Sequence, residues 1–153
     1  MKEITGATTI EVDGVNYTLV IPDWETDYIQ GGIARSGQPY ELTMLRSMAE
    51  RLQAGELVID VGANVGNHTL YLAMVAQCRV HAFEPNAHLC AAMQQSVEVN
   101  DLEGRIKIHN QGVGAAPSKA KIVCEDRSNL GGQALSVGPS PDATIDIIRL
   151  DDT

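Results

Sequence analysis

The stretch Leu57-Val58-Ile59-Asp60-Val61-Gly62-Ala63-Asn64-Val65-Gly66-Asn67-His68 constrains this chain more than any other part of it. Its short apolar, β-branched run has the make-up of a buried strand, and the two glycines that follow let the backbone turn through φ > 0. From Val65 onward, Val65, Thr69, Leu72, Ala73 and Ala76 fall on one helical stripe. Strand, glycine turn and helix form the first half of a βαβ unit. The alternation continues with a strand at 79–83, then a helix with Leu89, Ala92, Met93 and Val97 on its inner face and Asn86 as N-cap, then a strand at 105–109. Such alternation predicts an α/β fold with a parallel sheet.

The segments on either side follow other patterns. Upstream, Ile10 and Val12 alternate towards Asp13-Gly14, and Val15, Tyr17, Leu19 and Ile21 alternate away from it. Asp-Gly suits a type I′ turn, which pairs Val12 with Val15 and Ile10 with Tyr17 in a β-hairpin. Residues 23–39 lack a period and are expected to form a loop. Leu42, Leu45, Met48, Ala49 and Leu52 mark a helix that Gly55 should stop. Beyond residue 112, strand-like runs at 120–124 and 145–150 flank a Gly-, Ser- and Pro-rich loop. With no helix between them they are expected to pair antiparallel. The chain therefore divides into an N-terminal hairpin and loop, 1–39, and a ligand-binding domain, 40–153.

Eleven basic residues against twenty acidic ones give a net charge of −9, with no cluster of lysine or arginine along the sequence. Such a surface repels phosphate backbones and anionic lipid, so neither nucleic acid nor membrane is expected as a partner. No apolar run approaches the roughly 20 residues of a spanning helix, and the first ten residues lack a signal-like core. Cys78, Cys90 and Cys124 fit no zinc spacing and are expected to be free thiols in a cytoplasmic protein. No metal site is expected.

The ligand follows from the residues around the glycine turn. A dinucleotide fingerprint needs glycine at 62, 64 and 67, but 64 and 67 are asparagines, and Asp60 would sit against a pyrophosphate with the wrong charge. A Walker-type loop fails because no Gly-Lys-Ser/Thr follows. S-adenosylmethionine has no phosphate and carries a sulfonium and an ammonium, which suit an acid such as Asp60. Gly62 and Gly66 would let the backbone approach its methionine part. Glu84, in Ala82-Phe83-Glu84-Pro85-Asn86, follows Gly62 by 22 residues. That is the usual interval for an acid that accepts hydrogen bonds from ribose hydroxyls.

Asp60-Val61-Gly62-Ala63-Asn64-Val65-Gly66-Asn67-His68-Thr69-Leu70, followed by Ala82-Phe83-Glu84-Pro85-Asn86, resembles the FkbM family of S-adenosylmethionine-dependent methyltransferases. The resemblance extends to Tyr40-Glu41, Asn100 and Arg149-Leu150-Asp151-Asp152. It implies a Rossmann-like class I methyltransferase sheet and O-methylation of a hydroxyl on a small molecule or sugar. It also implies that Asp60, Gly62, Asn64 and Gly66 line the methionine side, with Ala63 and Asn67 among the cofactor-binding residues. Glu84, Pro85 and Asn86 would flank the ribose and adenosine edge, Gln111 would lie near adenine, and Glu41 would reach back to the cofactor. Ser128 and Asn129, in Ser128-Asn129-Leu130-Gly131-Gly132, match a substrate-side loop.

The family's Lys-x-Asp-x-Glu-Gly motif does not follow Leu-Asp-Asp, so the sheet is expected to be incomplete, as in a C-terminally truncated domain. An alternative alignment makes 145–150 the fourth parallel strand. Two other functions stay open: a cofactor-binding module without turnover, and a dinucleotide-dependent oxidoreductase. An incomplete sheet would leave the edge at 57–59 bare, and either the 145–150 segment or a second copy of the chain, as a homodimer, is expected to cover it.

Overall fold

A computed structural model describes residues 6–123 and 128–152. The hairpin pairs β1 (Ala7–Val12) with β2 (Val15–Val20), placing Val12 opposite Val15 and Ile10 opposite Tyr17. Asp13 and Gly14 both have positive φ, as the type I′ turn requires. The inner face of the hairpin, with Ile10, Tyr17 and Leu19, is buried in the main core.

The ligand-side sheet has the order β3 (Leu57–Val61), β4 (Arg79–Phe83), β5 (Ile106–His109), and all its strands are parallel. Two helices make the crossovers, α3 (Asn67–Met74) and α4 (Ala87–Val99). Both cover one face of the sheet, and Val80, Ala82 and Ile106 are buried beneath them. The hairpin forms a further layer on these helices. Ser96 of α4, fully buried, accepts a hydrogen bond from the Val20 amide at 2.9 Å and donates to the Ala92 carbonyl at 3.1 Å. Asn100 accepts from the Thr18 amide and donates to its carbonyl. Ser96→Ala would strand the buried Val20 N–H, and should lower the unfolding free energy by about 1–3 kcal/mol in urea titration, with Tyr17 as reporter.

Residues 23–39 are not a plain loop. They contain α1 (Tyr28–Ser36), capped by the Asp27 side chain and stopped by Gly37 in the left-handed region. Gly31-Gly32 disguised this helix, because glycine is a poor helix former. A Cβ on Gly31 would lie 2.8 Å from the Trp24 carbonyl oxygen, so close packing requires the glycine. The next helix, α2 (Leu42–Ala49), ends well before Gly55, whose amide instead donates to the Gln77 carbonyl.

The second sheet has the order β6 (Gly112–Val113), β9 (Ile145–Ile148), β7 (Ser118–Val123), β8 (Ala134–Val137). β7 pairs antiparallel with β9, as the sequence predicts, and Cys124 falls outside the described residues. β8, unexpected within the Gly/Ser/Pro-rich segment, pairs antiparallel with β7. β9 joins β6 in parallel and does not return to β3, so it is neither the fourth strand of the ligand-side sheet nor a cover for its edge. Leu57, Ile59 and Val61 are 50%, 47% and 53% exposed, which leaves one face of β3 open among the described residues. No described helix is long and apolar enough to cross a membrane.

Candidate cofactor site

The parallel register brings the C-terminal ends of β3, β4 and β5 together, and the cavity opens there. Brought to one place are Gly62, Ala63, Asn64, Asn67, Glu84, Pro85, Gln111 and Glu41, all predicted from the sequence. The cavity has two lobes. One lies against Glu84, Gln111 and Gly112, the other against Tyr40, Glu41 and His68, and Gly62, Asn64 and Gly131 border both. Gly62 has a φ of 78°, and a Cβ there would meet nothing within 4 Å. Its Cβ direction is open space.

Glu84 is the electrostatic centre of the site. It is only 6% exposed, its Oε2 accepts from the Asn64 amide at 2.8 Å, and its Oε1 accepts from the Asn86 amide at 2.8 Å. One carboxylate thus joins the glycine turn to the turn that starts α4. Burial pushes its carboxyl above the ordinary range, the two amides pull it down, and nearby Asp60 raises it further. An ionised carboxylate has about four lone-pair positions, so each oxygen can still accept one further bond.

Several predicted ligand residues turn out to hold the frame. Asp60 does not border the cavity; its Oδ2 accepts from Thr69 Oγ1 at 2.6 Å, fastening α3 to β3. A Cβ on Gly66 would lie 2.8 Å from Met93 Cγ and 3.0 Å from Leu70 Cδ1, so that glycine serves helix packing at a φ of 89°. Asn67 does both: it borders the second lobe, and its side chain accepts from the Tyr40 amide at 2.9 Å and donates to the Tyr40 carbonyl at 3.0 Å, which holds Tyr40 and Glu41 at the cavity. Asn86 caps α4 by accepting from the His88 amide and donates Nδ2 to Gln133 Oε1 at 3.0 Å.

Ser128 and Asn129 do not border either lobe, whereas Leu130, Gly131 and Gln133 do. Their segment is tied to the start of α1. Asp27, 2% exposed, accepts the Leu130 amide at 2.7 Å, and the Tyr28 amide donates to the Ser128 carbonyl at 2.8 Å. Asp27 went unnoticed in the sequence; an aspartate three residues before Gln30 at a helix start was the available signal.

Glu41 Oε2 lies 3.2 Å from His68 Nε2, close but outside hydrogen-bond geometry. Among the described residues, no lysine or arginine borders either lobe. Cys90 donates its thiol to the Glu84 carbonyl at 3.0 Å, and burial pushes its pKa up to about 11, so it is no nucleophile. No group of three His, Cys, Asp or Glu suited to a metal occurs among the described residues.

An acid at the end of β4, a glycine turn at the end of β3 and helices over one face define a Rossmann-like α/β fold with its ligand cavity at the C-terminal ends of the strands, the fold shared with P. horikoshii TYW2. The particular family is shown by its model. The methyltransferase FkbM domain matches residues 60–153, and the chain belongs to that family.

Similar proteins point further afield. The tRNA wybutosine-synthesizing protein 2 homolog of Danio rerio is 38% identical over 79 residues, 51% of this chain and 19% of that protein. The Homo sapiens homolog is 37% identical over 57 residues, 37% of this chain and 13% of that protein. Among solved structures, P. horikoshii TYW2 in complex with MeSAdo superposes with a TM-score of 0.52 at 19% identity, covering 74% of this chain and 39% of that one. The chain thus spans only a minor part of these proteins. They correct the expectation of a small-molecule or sugar acceptor and no nucleic acid: the sequence relatives are named for tRNA modification. A net charge summed over the whole chain is a poor guide to one partner surface.

Proposed function

We propose that this chain binds S-adenosylmethionine in the two-lobed cavity and is the cofactor-binding part of a methyltransferase that acts on a nucleoside of tRNA. The observation that carries the cofactor is the charge of the cavity wall, which among the described residues has Glu84, Glu41 and His68 but no lysine or arginine. A dinucleotide pyrophosphate would find no cation there, whereas a sulfonium and an ammonium suit acids. Glu84 keeps lone pairs for two ribose hydroxyls, Gln111 borders the same lobe for the base, and the methionine end points to Glu41. The bound cofactor supplies a methyl group already activated on a positive sulfur. The chain's own part is to hold that group in line with the acceptor and to exclude water, which supplies much of the rate.

The acceptor rests on the relative from Danio rerio. The test incubates the chain with methyl-tritiated S-adenosylmethionine and tRNA lacking modifications. Label in the RNA that nuclease releases as a methylated nucleoside is the expected result. Cofactor binding with no label in the RNA would overturn the acceptor, and would leave a cofactor-binding module without turnover.

A further inference from the structure

The chain scatters its basic residues in sequence, yet the parallel register collects three of them. Arg79 opens β4, Arg105 directly precedes β5, and Lys107 stands opposite His81 on the neighbouring strand. With Leu57 they wall a groove of about 340 Å³ at the end where the strands begin, the end away from the cofactor cavity. Glu103 is the one acid lining it.

Three other cations are paired by the fold, while Arg35, Arg51 and Lys121, like the groove residues, are in no ion pair among the described residues. Arg46 meets Asp13 at 2.7 Å, Lys119 meets Asp146 at 2.6 Å and Arg149 meets Asp152 at 2.9 Å. Among the described residues, no carboxylate lies within ion-pair distance of Arg79, Arg105 or Lys107. Arg79 Nε donates to the Gly55 carbonyl at 3.2 Å, and Arg105 Nη1 donates to the Ala73 carbonyl at 2.7 Å. Each guanidinium is steadied by one bond and has donors left over, and both residues are exposed.

We propose that this groove docks the phosphate backbone of the RNA acceptor, an inference that rests on the tRNA reading above. On a chain of net charge −9, most of the surface repels phosphate, and the gathering of three unpaired cations in one groove marks where an RNA can approach. The five residues of β4 set the groove about 15 Å from the cofactor cavity, within the span of one folded RNA.

Two measurements on the full chain test this: the affinity for unmodified tRNA as a function of salt, and methyl transfer to the same tRNA. The double variant R79A/K107A should bind tRNA about tenfold more weakly at low salt, and its slope of log affinity against log salt should fall by about 1.5. Lys119→Ala, which removes one charge elsewhere, should leave the affinity within about twofold. S-adenosylhomocysteine should bind all three proteins alike. Equal tRNA affinity and slope in R79A/K107A and wild type would overturn the groove, and methyl transfer to tRNA by both would leave the acceptor standing. Weakened tRNA binding in the double variant without methyl transfer by the wild type would support the groove and overturn the acceptor. Absence of any tRNA binding by the wild type at low salt would overturn the groove outright.

Discussion

Glu84→Ala is expected to weaken binding of S-adenosylhomocysteine at least about tenfold. A charge-assisted hydrogen bond is worth roughly 1.5–3 kcal/mol, and a tenfold change corresponds to about 1.4 kcal/mol. Because Glu84 also holds the Asn64 and Asn86 amides, part of the loss would come from loosened turns. A ligand pair separates the two contributions. Wild type should discriminate against the 2′-deoxy analogue of S-adenosylhomocysteine, and Glu84→Ala should bind both analogues nearly equally. Discrimination that survives the substitution would assign the hydroxyls to another residue.

The same residue gives a pH dependence. Burial raises the Glu84 carboxyl, so the folded chain holds its proton to higher pH than the unfolded chain does. Between the two titrations the folded state binds more protons, and stability from this group falls as pH rises above the ordinary carboxylate range. Urea titrations of wild type and Glu84→Ala across that range should show the falling contribution only in the wild type.

Gly66→Val is expected to be the most destabilising single change in the α3–α4 contact, by roughly 2–5 kcal/mol. A left-handed backbone costs an L-residue about 1–2 kcal/mol, and forcing methyls into a filled core about 1–3 kcal/mol more. The side chain would enter the space of Met93 and Leu70, both fully buried. Gly62→Ala shares the backbone cost but meets open space, so it should unfold less easily than Gly66→Val while still weakening cofactor binding. Equal stability of the two variants in urea titration would contradict the division between a cavity glycine and a packing glycine.

That division shows what the sequence could and could not convey. The alternation of apolar runs with helical stripes fixed three parallel strands and their two crossover helices, because period and glycine placement are local properties. Helix α1 was hidden because Gly31 is demanded by a contact with Trp24, seven residues earlier, and not by any local turn. The glycine string located the cavity, but it could not say which of its members face a ligand. Asp60 and Gly66 carry the same residue types that a ligand would call for, yet Thr69 and Met93 claim them across the fold. The groove of Arg79, Arg105 and Lys107 was likewise invisible, since strand register and not sequence spacing brings it together.

Among the described residues the cavity is lined by acids and holds no lysine or arginine, a wall that should select S-adenosylmethionine. Isothermal calorimetry of the full chain with S-adenosylmethionine, S-adenosylhomocysteine and NAD tests it most directly. The two methionine cofactors should bind with stoichiometry near one, and both should bind more tightly than NAD. Tighter binding of NAD would contradict the account and return the site to a dinucleotide-dependent oxidoreductase.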